Sequence, residues 1–112
     1  MKSQMNPKAG PRIRHLALLR FKPECGPDDI RAVWQMVEFL PRQIPGILEL
    51  THGPNVSTEG LDDGFTHSLA ITFETAAARD AYLPHPEHQK LVDFVLPKIE
   101  KVIVLDHDID QR

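Results

Sequence analysis

The chain has 112 residues, which fits one domain whose core buries roughly two thirds of the unfolded surface. Hydrophobic residues at 41% and charged residues at 26% lie near globular averages, which excludes a disordered, collagen-like or low-complexity chain. Thirteen basic against sixteen acidic residues leave a net charge of -3 with no basic run for nucleic acid, and no apolar stretch approaches the roughly 18 residues of a membrane span.

Residues 1–11 are polar, interrupted by Pro and Gly, and predict a flexible N-terminal tail without a secretory leader; the domain is expected over 12–112. Ile13 to Phe21 predicts a strand whose two parities are both apolar, Leu16 and Leu18 against Ala17 and Leu19, a pattern of a strand covered on both faces. A turn follows at Lys22 to Pro27. Its Cys25 has no internal disulfide partner, so the expected location is cytoplasmic, and its acidic neighbours disfavour a thiolate nucleophile. Pro27, Asp28 and Asp29 start a helix, and Ile30, Val33, Trp34, Val37 and Leu40 form its apolar stripe until Pro41 and then Pro45-Gly46 stop it.

Ile47 to His52 predicts a short strand and Ser57 to Gly64 a polar loop. In His67 to Glu74 the residues His67, Leu69, Ile71 and Phe73 alternate with Ser68, Ala70 and Thr72, the mark of a third strand. Thr75 caps a helical run to Leu83, and Pro84-His85-Pro86 breaks it before a second run to about Leu96. Val102 to Leu105 forms the core of a last strand that extends towards Asp108. The order β-α-β-β-α-β predicts an α+β ferredoxin-like sandwich. Its helices cover one face of the sheet, so the apolar parity left over predicts sheet-to-sheet homodimerisation into a dimeric α/β barrel.

The series His15-Leu16, Ile44-Pro45-Gly46, Gly53-Pro54-Asn55, Phe65-Thr66-His67 and Tyr82-Leu83-Pro84-His85-Pro86-Glu87-His88 resembles the stress-responsive dimeric A/B barrel (Dabb) family over Ile13 to Asp108. The resemblance implies a homodimer with sheets packed face to face. It also implies two kinds of activity: stress-associated proteins with no assigned reaction, and a plant polyketide cyclase that performs an aldol condensation without a cofactor. The cyclase likeness makes the residue matching His88 the base and the one matching Tyr82 its helper, with His15 and His67 near the pocket.

Read without the family, His88 precedes Leu91, Val92 and Val95 on one helical stripe and points inward, either as a general base or as a hydrogen-bonded tie between helix and sheet. Tyr82, the only tyrosine, either donates to a carbonyl oxygen or fills the core. His15 and His67 lie early in antiparallel neighbouring strands, so they are either substrate contacts in an offset register or two separate strand-end histidines. His85 and His88 have an i, i+3 spacing open to a metal, with His52 or His107 as further ligands, but the place of His85 between two prolines favours a cap, and no metal site is predicted. Trp34 belongs to the helix stripe and reads as core. No glycine fingerprint implies a nucleotide, and no cofactor is expected.

The leading expectation is therefore a homodimeric A/B barrel domain protein with no assigned reaction and room for a small apolar ligand. The alternative is a cofactor-independent lyase or cyclase on a small keto, polyketide-like substrate with His88 as base. The two differ in one observable: the enzyme requires a solvent-connected cavity of roughly 300 Å³ at Tyr82 and His88.

Overall fold

The computed structural model describes residues 10–110; most of the expected N-terminal tail, 1–11, lies outside the described residues. The elements are β1 (Ile13–Phe21), α1 (Pro27–Gln43), β2 (Ile47–Pro54), β3 (His67–Phe73), α2 (Ala76–Tyr82), α3 (Pro86–Val95), a 3-10 turn (Leu96–Lys98) and β4 (Ile99–Asp108). The sheet order is β2-β3-β1-β4 with every neighbouring pair antiparallel, the ferredoxin-like α+β arrangement predicted from the element order. No helix among the described residues is long and apolar enough to cross a membrane.

Side-chain parity divides the sheet into two faces. Ile13, His15, Ala17, Leu19 and Phe21 of β1 are buried beneath the helices, together with Leu69, Ile71 and Phe73 of β3 and the α1 stripe Val33, Trp34, Val37 and Leu40. The opposite parity carries Leu16 and Leu18, which pair across the sheet with Ala70 and Ser68 on one side and with Leu105 and Ile103 on the other. Among the described residues no helix covers that face, and Leu105 there is 63% exposed. Only one of the two apolar faces of β1 is thus roofed by the described helices.

The helix α1 runs two residues past Pro41 to Gln43 and ends before Pro45-Gly46, the second of the two stops expected from the sequence. Proline removes one amide donor, and this close to the helix end the remaining ladder still holds: the Ile44 N–H donates to Leu40 O at 2.9 Å. Termination falls at Pro45-Gly46, where Gly46 adopts φ +94°. Likewise β2 continues to Pro54, two residues beyond the predicted end, because β2 is an edge strand that tolerates a residue without an N–H. The N–H of Asn55 then donates to Thr66 O at 2.7 Å.

Gly46 joins α1 to the sheet under the start of α2. Its carbonyl accepts from the Glu74 N–H at 2.9 Å, and a Cβ placed on it would stand 2.6 Å from the Ala78 Cβ. The Thr75 Oγ1 caps α2 by accepting from the Ala78 N–H at 3.1 Å. The variant Gly46→Ala combines a positive φ with this clash and is expected to lose about 1–3 kcal/mol in urea unfolding, whereas Gly53→Ala, with open space at its Cβ, loses less than half as much.

Candidate functional site

Between the helices and the β1–β4 half of the sheet lies a cavity of about 280 Å³, lined by His15, Ala17 and Leu19 of β1, Val33, Trp34 and Val37 of α1, Tyr82, His88 and Leu91 among the later helices, and Val102 and Val104 of β4. Almost all of the wall is hydrocarbon. Val104 is 51% exposed and Leu96 57%, so the cavity reaches solvent along the β4 edge and the 3-10 turn. Its polar groups gather at one end, at His15, Tyr82 and His88.

The break between α2 and α3 positions His88. Pro84 and Pro86 flank His85, whose Nδ1 caps α3 by accepting from the Glu87 N–H at 3.1 Å. The cap takes the donor that a continuous helix would direct to the Leu83 carbonyl. That oxygen lies 2.9 Å from His88 Nδ1 and also accepts from Gln89 Nε2 at 2.8 Å. A carbonyl can only accept, so Nδ1 carries the proton and Nε2 of neutral His88 keeps its lone pair. Burial pushes the His88 pKa below the ordinary imidazole value; the Leu83 carbonyl opposes this, and the nearby His15 and His85 add to the lowering. The side chain is therefore neutral at pH 7, with an acceptor nitrogen at the apolar cavity.

Tyr82 lies against it, ring centroids 4.2 Å apart, and packs on Phe73 at 5.0 Å. The residue is 2% exposed, and burial raises the pKa of its phenol, which stays protonated as a donor.

His15, 8% exposed, meets the Tyr82 ring edge-on at 6.0 Å. Its Nδ1 lies 2.8 Å from Asp106 Oδ1, and the other oxygen of Asp106 accepts from Arg79 Nη1 at 2.5 Å. The carboxylate accepts from Nδ1 of His15 and leaves Nε2 outside that bond. Arg79 and Asp106, which hold His15 through these bonds, are candidate-site residues that the sequence reading missed. Asp106 has the same parity as Val102 and Val104, and Arg79 precedes Tyr82 by three residues on one helix, so both signals were present in the pattern.

His67 stands apart from this group. It pairs with Leu19, whereas His15 pairs with Ile71, a separation of four residues or about 13 Å along β1. Its ring packs against Phe21 at 5.1 Å and Trp34 at 6.0 Å, and burial followed by repulsion from His52 lowers its pKa. Of the metal alternative, His85 Nδ1 is occupied by its cap and His52 Nε2 by Glu38 Oε2 at 2.8 Å, and no group of three or more metal-ligating side chains occurs among the described residues. Cys25 Sγ donates to Lys98 O at 3.4 Å and ties the turn before α1 to the start of β4.

The model of the stress-responsive A/B barrel domain family matches residues 13–109, nearly all of the described residues. The chain belongs to this family. Among its curated relatives, the stress-response A/B barrel domain-containing protein HS1 of Arabidopsis thaliana is 31% identical over 103 residues, covering 92% of this chain and 94% of the relative. The olivetolic acid cyclase of Cannabis sativa is 26% identical over 95 residues, covering 85% and 94%. A dimeric ferredoxin-like protein from Jannaschia sp. CCS1 superimposes with a TM-score of 0.79 at 27% identity, covering 88% of this chain and 99% of that one. Structural neighbours of this A/B barrel domain are thus dimeric.

The depressed pKa values of His67 and His88 fix the sign of a pH effect. Between those values and the unfolded value near 6.5 the unfolded chain binds protons that the native chain does not, so stability falls as pH falls through that window. Proton NMR titration of the imidazole ring is expected to give His88 a midpoint below 6.5, with Nδ1 protonated above it; a midpoint at or above 6.5 contradicts the assignment.

Proposed function

We propose that this A/B barrel protein binds a small carbonyl compound in the helix-side cavity and acts as a cofactor-independent lyase or cyclase with His88 as general base. The carrying observation is the cavity itself: about 280 Å³ of mostly apolar space with the His88 ring, Tyr82 and His15 at one end. A volume at the lower bound for drug-sized ligands suits a small keto substrate with an apolar tail. The relationship to the cyclase at 26% identity supports the same class.

In this reading His88 Nε2 removes a proton from the carbon next to the ketone while the Tyr82 hydroxyl donates to the developing enolate oxygen. In a cyclisation the enolate carbon forms a bond to a second carbonyl carbon of the same molecule, and the resulting alkoxide takes back the proton from His88. His15, oriented through Asp106 and Arg79, offers a further polar contact at that end. Low-dielectric walls strengthen each of these interactions. His67 then serves the far end of the cavity through Trp34 rather than the reacting carbonyl.

The same reading makes the chain a homodimer through its open sheet face, where Leu16, Leu18, Ile103 and Leu105 form the apolar patch left uncovered by the helices. A cytoplasmic setting fits the free half-buried thiol of Cys25.

Two measurements test these assignments. The variant His88→Gln is expected to lose about 10²- to 10⁴-fold in turnover of a cyclising polyketide-like substrate with its fold intact; unchanged turnover refutes the base. Sedimentation equilibrium is expected to give twice the chain mass at micromolar concentration and a monomer for Leu105→Glu, whose side chain lies on the open face; a monomeric native chain refutes the interface.

A further inference from the structure

His52 takes no part in the reaction geometry above, yet its ring is stacked face to face on a wall of the cavity. The imidazole and the Trp34 indole lie 4.4 Å apart at 4° to one another. Glu38, one helical turn after Trp34 on α1, holds the imidazole through Oε2 at 2.8 Å from Nε2, so α1 supplies both the ring beneath His52 and the carboxylate that fixes its orientation. Phe21 meets the indole edge-on at 6.4 Å, and His67 lies against it at 6.0 Å.

This package stands at the opposite end of the cavity from His88. Trp34 lines the cavity and contacts His67, which pairs with Leu19, while the polar end is marked by His15, four residues or about 13 Å away along β1. An apolar tail whose carbonyl sits at Tyr82 and His88 therefore runs towards the indole. An indole with no neighbour on its outer face has other rotamers within reach; stacked between His52 and the core it has one.

We propose that His52, pinned by Glu38, is a positioning residue that holds Trp34 as the end wall of the cavity and so limits the length of the apolar tail the cavity accepts. The proposal rests on the reading of the cavity as the substrate site. It assigns a role in specificity to a β2 residue that touches neither the reacting carbonyl nor the general base.

The test uses the full chain and a series of methyl n-alkyl ketones, from hexyl to undecyl, with binding measured calorimetrically. Each methylene that finds room contributes about fourfold in affinity, so affinity is expected to climb along the series and stop at a cut-off length. In His52→Ala the cut-off moves to a longer chain by at least one methylene. Trp34 is the only tryptophan, so its emission reads the same wall and shifts to the red. The variant His52→Phe, which keeps the aromatic stack but loses the bond to Glu38, moves the cut-off and the emission part of the way back to the native values, a rescue that general destabilisation does not produce. Glu38→Gln guards against a misfolded Ala variant: it weakens the hold on His52 from a largely exposed position and shifts both readouts in the same direction. An unchanged cut-off in His52→Ala or, if that variant does not fold, in Glu38→Gln overturns the proposal, as does a Phe variant that behaves like the Ala variant. Absence of binding by every ketone to the native chain overturns the cavity reading itself, and the proposal with it.

Discussion

The polar end of the cavity depends on a helix that is not allowed to continue. Pro84 and Pro86 interrupt the second helical segment, and the His85 cap takes the amide of Glu87 that would otherwise donate to the Leu83 carbonyl. That carbonyl is then free to accept from His88 Nδ1. One local break in the backbone thus selects the tautomer, aims the opposite nitrogen and brings the imidazole onto Tyr82. In a continuous helix through residues 83–87 the Leu83 carbonyl would bond within the helix, and the proton of His88 would have no fixed place.

The sheet contributes the second requirement, that alternate residues of one strand serve different purposes. On β1 the parity of His15, Ala17 and Leu19 forms the floor of the cavity while Leu16 and Leu18 form the open apolar face. The same division runs through β4, where Val102, Val104 and Asp106 look towards the helices and Ile103 and Leu105 look away. A one-residue slip in the β1–β4 pairing would carry Asp106 away from His15 and expose the cavity floor, so register and chemistry are linked. Ligand binding and self-association, as proposed, use opposite faces of the same four strands.

Much of this was legible from pattern alone. Strand alternation in His67 to Phe73, the stripe of α1 and the Pro-His-Pro break predicted the element order, the fold and the inward aim of His88. The sequence was less informative where spacing had to be converted into distance. His15 and His67 occupy similar places early in their strands, but antiparallel pairing sets His15 opposite Ile71 and His67 opposite Leu19, so only His15 joins Tyr82 and His88. Asp106 and Arg79 went unnoticed because their value comes from β4 and α2 meeting over β1, a contact between distant parts of the chain. Trp34 reads as core from its helical stripe, and it is core; that one side of a buried ring also bounds an empty volume is visible only once the volume is known.

The Arg79–Asp106–His15 chain of hydrogen bonds has a mechanical consequence. It staples α2, the edge strand β4 and the centre of the sheet together across the carbonyl-facing end of the cavity, with charge-assisted bonds in partly buried surroundings. Along the β4 side, around Leu96 and Val102, the rim is held mainly by dispersion between half-exposed aliphatic groups. Thermal opening is therefore expected to begin at the greasy lip and leave the clamped end in register, so that in the proposed reading a guest molecule exchanges through a breathing edge while His15, Tyr82 and His88 keep their places.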